Sequence, residues 1–231
     1  MVGLIIVLII AGALYYFYAS SPMSDPADVK ARYKNRSEDQ KKVIRYFTVE
    51  GCFSKVMSDK DYDGIVKNFL AKQDFRKKAL DKIGLDESEL KEIDPVQFEG
   101  WAYGKNNNVS YSKRGKDGIW RSSTYQVSWL FFSATQVYLY QNTIHFDKDD
   151  KKVATEEYFY KDITNFSTSS DTEESSYWNP KQKKMLLENV DSNRFALTVP
   201  GDKFYCSMEQ NEYTERAIQA MKSKLREKKG A

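Results

Sequence analysis

The sharpest cluster of chemistry-bearing residues is Asp59-Lys60-Asp61-Tyr62-Asp63-Gly64. It matches the opening of a calcium-binding loop, which needs oxygen ligands at its first, third and fifth positions, a glycine at the sixth and a bidentate acid at the twelfth. The twelfth position is Leu70, part of an apolar stripe, so the ligand that completes the coordination shell is missing. These acids read instead as a helix N-terminus, where the helix dipole favours negative charge. His145, the only histidine, is followed by Asp147, Asp149 and Asp150. A His–Asp pair can orient a general base, but the chemistry also needs a nucleophile, and neither serine nor cysteine stands in a nucleophile-elbow context. His145 therefore reads as a solvated residue at a hairpin. Asp171, Glu173 and Glu174 lie in a Ser/Thr-rich stretch at 167–176 that reads as a loop, too wet for tuned acid–base work. No Walker loop, G-x-G-x-x-G or H-E-x-x-H run occurs, so the expectation is a non-enzyme with no catalytic residue, no metal and no cofactor.

The candidate contact residues are two groups of cations. Lys105, Lys113, Arg114 and Lys116 punctuate glycine- and asparagine-rich loops, and Lys224, Arg226, Lys228 and Lys229 end the last helix, where its dipole explains them equally well. Trp120, Trp129 and Trp178 are candidate surface aromatics, although Trp129 alternates like a core residue. A net charge of +3 over 231 residues is too small to point to nucleic acid. Cys52 and Cys206 are far apart and in no metal-binding spacing; they read as buried free thiols, with a long-range disulfide the alternative if the chain is exported. Asn35, Asn108 and Asn165 each open an N-x-Ser sequon, which matters only in a glycosylating lumen.

The elements that must position these residues follow from periodicity. Ser37 with Gln40 has capping-box spacing and opens a helix through Val43, Ile44 and Phe47. Tyr62, Ile65, Val66, Phe69 and Leu70 make an amphipathic stripe, and Phe75, Ala79, Leu80 and Ile83 make another that Gly84 stops. Asp86 with Glu89 repeats the capping spacing before Leu90 and Ile93, and Asp94-Pro95 ends that helix. From Val96 the period changes to two, through Tyr125–Phe131, Val137–Phe146, a turn at Asp147–Lys151, Tyr158–Tyr160, Ile163–Phe166, Met185–Leu187 and Phe195–Val199. Pro200-Gly201 is a type II turn pair, with Phe204, Cys206 and Met208 returning from it. Ala217, Ile218, Met221 and Leu225 line one face of a closing helix. Sixteen Tyr and thirteen Phe suit so strand-rich a chain.

Ahead of these, Val2–Tyr18 carries no charge, and as a helix it spans about 25 Å, close to the ~30 Å hydrocarbon core. Tyr15, Tyr16, Phe17 and Tyr18 suit the membrane interface. No basic residue precedes the run, which favours a retained anchor over a cleaved signal peptide. Lys30, Arg32, Lys34 and Arg36 follow it, so the positive-inside rule puts the remainder in the cytoplasm.

Antiparallel strands followed by one amphipathic helix give an element order that resembles a bacterial pleckstrin-homology-like domain. The run Glu157-Tyr158-Phe159-Tyr160-Lys161-Asp162-Ile163-Thr164 is similar to the strand pair of such domains that leads into x-D-I-T-x. The resemblance covers roughly 96–228. It implies that the loops bearing Lys105, Lys113, Arg114 and Lys116 could contact anionic headgroups. The resulting expectation is an α+β chain: a transmembrane anchor over 1–18, a linker over 19–36, a helical subdomain over 37–94, and over 95–231 an antiparallel PH-like barrel or sandwich closed by a C-terminal helix. Its expected role is a single-pass, membrane-tethered interaction or scaffold module at the cytoplasmic face, with a protein partner and anionic-lipid contact. The alternatives are an exported cell-envelope binding domain or a hydrolase with an unrecognised site.

Overall fold

The structure is a computed structural model that describes residues 27–49, 56–86, 88, 90 and 93–230. Its helices begin where the sequence supplies caps. After α1 (Ala27–Lys30) and a 3-10 turn (Ala31–Tyr33), α2 (Glu38–Thr48) opens on a reciprocal capping box between Ser37 and Gln40. α3 (Asp59–Ala71) repeats the device with Ser58 and Asp61. α4 (Phe75–Ile83) is capped by Asp74 and stopped by Gly84, whose φ of 80° is the left-handed conformation glycine adopts without a Cβ clash. The further short helix expected around Asp86–Ile93 falls in good part outside the described residues.

The strands are β1 (Val96–Trp101), β2 (Ser112–Arg114), β3 (Trp120–Ser122), β4 (Thr124–Phe132), β5 (Gln136–His145), β6 (Lys151–Phe159), β7 (Asn165–Asn179), β8 (Lys184–Val199) and β9 (Asp202–Ser207), and α5 (Glu212–Gly230) follows. All pair antiparallel, in the sheet orders β1-β4-β5-β6, β2-β3 and β7-β8-β9. β4 is the spine. Tyr125, Val127, Trp129 and Phe131 on one face pack with residues of α2, α3 and α4. On the other face Leu130 and Phe132 join Phe98, Phe166, Phe195, Leu197, Cys206 and the buried side of α5 (Ile218, Met221, Leu225) in a second core. Helices, one sheet, and a second sheet carrying α5 thus form successive layers. Cys206 is a buried free thiol, with its pKa pushed up to about 12 by desolvation; Cys52 lies outside the described residues, and with it the expected pairing.

Several expectations are corrected here. The sheets do not close into a barrel, so the PH-like architecture does not hold, and the fold is a mixed α/β arrangement of open sheets. The reason lies in how β9 meets the first sheet. Its backbone is met by side-chain amides from the sheet's face: Gln141 Nε2 donates to Tyr205 O at 2.7 Å, and Ser207 N donates to Gln126 Oε1 at 2.7 Å. Glu209 N donates to Glu99 O where β9 ends, but no strand ladder joins β9 to β1. On the other side β6 and β7 are both sheet edges. The stretch 167–176, expected as a loop, is part of β7, a strand of 15 residues whose polar side chains are tolerated because it pairs along its whole length with β8. Within it Glu173 forms an ion pair with Arg194.

The expected anchor at 1–18 lies outside the described residues, and among those described no helix is long and apolar enough to cross a membrane. α5, the longest of them, is broken at short intervals by charge. The membrane-tethered role, the single-pass localisation and the membrane partner therefore lose their support.

Candidate functional site

Two constructions share the β2–β3 hairpin. The first is a clasp to the start of α3. Asp59 and Asp63 are one turn apart and share a helix face. Asp63 receives Arg121 Nε and Nη2 at 2.7 Å each, a bidentate fork. Asp117, from the hairpin's turn, receives the same guanidinium at 3.0 and 2.8 Å. Arg121 is only 3% exposed, and these bonds push its pKa further up, while Arg121 and the Ile119 amide hold Asp117 down at about 2. Asp59 accepts the Tyr46 hydroxyl and the Lys116 amide, each at 2.8 Å. Tyr46 stacks on Tyr62, whose hydroxyl donates to Ser122 O at 2.7 Å. Both phenols are pushed up, chiefly by burial. At the centre stands Gly115, where a Cβ would lie 2.4 Å from Arg121 Nη1, 2.6 Å from Asp117 Oδ1 and 2.8 Å from Asp59 Oδ2. Each acid of the calcium-like motif is thus spent on the fold: Asp61 caps the helix, and Asp59 and Asp63 hold the hairpin.

The second construction is a cleft of about 310 Å³ on the outer side of the same hairpin. One wall is Lys113, Arg114 and Trp120; the other is Tyr177, Trp178 and Lys181, at the tip of the β7–β8 hairpin. Ser112 Oγ donates to Ser176 O at 2.8 Å and fixes the walls' spacing. Trp178 is braced by Arg32, which does not line the cleft and lies 4.3 Å from the indole centroid. Lys113 Nζ is committed to Tyr46 O at 3.1 Å and to the Tyr46 ring. Arg114 bonds the Gly118 carbonyl at 3.1 Å but has no carboxylate partner among the described residues, and Lys181 is exposed. The adjoining turn adds Lys183 and the start of β8 adds Lys184, and Glu188 is the cleft's acid.

A larger cleft, about 470 Å³, opens between α4 and the β5–β6 hairpin and contains His145. His145 is half-buried rather than solvated. Its Nδ1 lies 2.9 Å from the hydroxyl of Thr124, which is fully buried, and burial followed by the charge of Lys148 lowers its pKa. The polar groups around it are largely occupied: Gln40 donates to Asp149 at 2.7 Å, and Lys148 bonds Asn108 O at 2.7 Å and pairs with Asp150 at 3.4 Å.

Of the eight candidate cations, the outer cleft brings together Lys113 and Arg114. Lys116 belongs to the clasp through its amide, and Lys105 sits exposed on a separate 3-10 turn. In α5, Lys224 pairs with Glu227 and Lys228 lies over Tyr160, while Arg226 and Lys229 face solvent. Trp120 and Trp178 line the cleft, whereas Trp129 is stacked on Phe131 in the core. Sequence reasoning missed Tyr177, Lys181 and Arg121. The Asn179-Pro180 turn signal with aromatics before it and lysines after it could have disclosed the first two. No protein-family model matches the chain, no curated protein matches it, and no solved structure matches it; the PH-like resemblance is withdrawn on this ground as well.

Proposed function

We propose that the chain is a ligand-binding module, not a catalyst, and that the cleft between the β2–β3 and β7–β8 hairpins takes a short acidic peptide segment carrying an aromatic or large apolar side chain. The observation that carries this reading is the juxtaposition of two exposed cations that have no carboxylate partner among the described residues, Arg114 and Lys181, with the half-buried Trp120 and Tyr177 over a buried, braced Trp178. Aromatic rings give large contact area at low entropic cost, and arginine adds bidentate carboxylate recognition, the pairing typical of binding hot spots. Glu188 in the same cleft favours a peptide with spaced acids over a continuous phosphate backbone, which it would repel. Against a catalytic reading, His145 is directed to a hydroxyl sealed in the core.

The test is a fluorescence titration, read from tryptophan, of the full chain with a short peptide bearing one tyrosine flanked by glutamates. A lysine-flanked peptide and oligothymidylate serve as comparators. Saturable binding of the acidic peptide alone supports the proposal, with Trp120→Ala weakening it by about tenfold or more. Preference for oligothymidylate, or no binding of the acidic peptide, overturns it.

A further inference from the structure

β6 is an edge strand, paired on one side with β5 and on the other with no described strand. Its residues Lys151, Lys152, Val153, Thr155, Glu156 and Glu157 are exposed. Charges on an edge ordinarily discourage further pairing. Here their order does the reverse for one particular partner, a second copy of the same strand.

The permitted registers are few. In antiparallel pairing, opposed residues either both direct their backbone groups at each other or both direct them away. Along β6 alternate residues point outward, so two identical edges can pair only with the two-fold axis through a residue, never between residues. Centring on Val153 sets Asp150 against Glu156, and centring on Thr155 sets Lys151 against Phe159 and Lys152 against Tyr158. Centring on Ala154 sets Lys151 against Glu157, Lys152 against Glu156 and Val153 against Thr155, and each pairing recurs by symmetry. The lysines and glutamates match on both faces of the sheet, because Lys151 and Lys152 project from opposite faces. Ala154, the residue on the axis, has the small side chain that close approach at a two-fold tolerates.

We infer that the chain forms a symmetric homodimer through β6, antiparallel and centred on Ala154, which joins the two β1-β4-β5-β6 sheets into one continuous sheet. The contact is isologous and therefore closes at two subunits. It lies on a different strand from the proposed peptide cleft and stands or falls separately from it.

Sedimentation velocity on the full chain tests the inference with two charge variants. Lys151→Glu with Lys152→Glu makes the edge wholly acidic, and Glu156→Lys with Glu157→Lys makes it wholly basic. The wild type is expected to dimerise reversibly and more weakly in high salt. Each variant alone is expected to lose at least about a hundredfold in dimer affinity, from like charges opposed at every charged position. An equimolar mixture is expected to restore a heterodimer, because all the pairings become complementary again. Oxidation of Ala154→Cys should link two copies beyond any background from the native thiols. A monomeric wild type, variants that dimerise undiminished, or a mixture of folded variants that fails to associate would overturn the inference.

Discussion

The two sides of the β2–β3 hairpin use the same residue types to opposite ends. On the inner side Arg121 is answered by Asp63 and Asp117, and Asp59 by the Tyr46 hydroxyl and the Lys116 amide, with bonds of 2.7–3.0 Å around Gly115. On the outer side Arg114 and Lys181 are exposed beside the half-buried rings of Trp120 and Tyr177. A charge answered by a carboxylate in a buried cradle contributes to the fold and is unavailable to a ligand. A charge left wet next to an apolar wall costs the fold little and can be neutralised by something that binds. The difference lies in the partners a residue meets, not in the residue.

Substitutions can separate the two sides. The largest expected effect is that of Arg121→Ala, which strips Asp63 and Asp117 of their common partner. Buried pairs broken on one side lose 3–5 kcal/mol, but these carboxylates are 35% and 42% exposed, so a loss of about 2–3 kcal/mol is expected in urea unfolding. Arg121→Lys should recover only part, since an ammonium cannot present the planar fork. Gly115→Ala comes next: its methyl group enters a space held by three charged atoms, of which Arg121 Nη1 and Asp117 Oδ1 are bonded to each other and Asp59 Oδ2 is fixed by the Lys116 amide, and overpacking of this kind costs about 1–2 kcal/mol. Acid should loosen the same side. Asp117 is depressed in the folded chain, so its stabilising contribution is full above the ordinary carboxylate pKa of about 4 and is lost as pH falls towards about 2. Protection of the hairpin amides, taken relative to the intrinsic exchange rate at each pH, should fall in that window, and not in Asp117→Asn, where protection is already reduced at neutral pH. The smallest effect on stability belongs to the outer side: Arg114→Ala should shift unfolding by no more than about 0.5 kcal/mol while weakening the acidic peptide by about tenfold.

The helices were legible because their signals are local. Ser37 with Gln40, Phe75 with Ala79, and Gly84 act within a few residues of one another. The strands' alternation was legible for the same reason, but the partner of each strand was not. Gln126, Ser128 and Gln141 are polar, yet they are buried where β9 crosses over them, which nothing in their neighbours along the chain discloses. Ser167–Ser176 reads as a loop by composition, and pairing with β8 overrides it. Arg114 and Trp120 could be named from sequence, whereas Lys181 is brought beside them only by the long β7–β8 hairpin. Arg121 carries no local mark of its role, since Asp63 lies 58 residues away.

The measurement that tests the central claim most directly is a paired titration and unfolding experiment on Arg114→Ala with Lys181→Ala and on Arg121→Ala. The double variant should unfold like the wild type and bind the glutamate-flanked tyrosine peptide about a hundredfold more weakly. Arg121→Ala should unfold earlier and, under conditions where it remains folded, bind within a few-fold of the wild type. Equal binding by the double variant, or a stability loss in it as large as that of Arg121→Ala, would contradict the division of labour between the two sides of the hairpin.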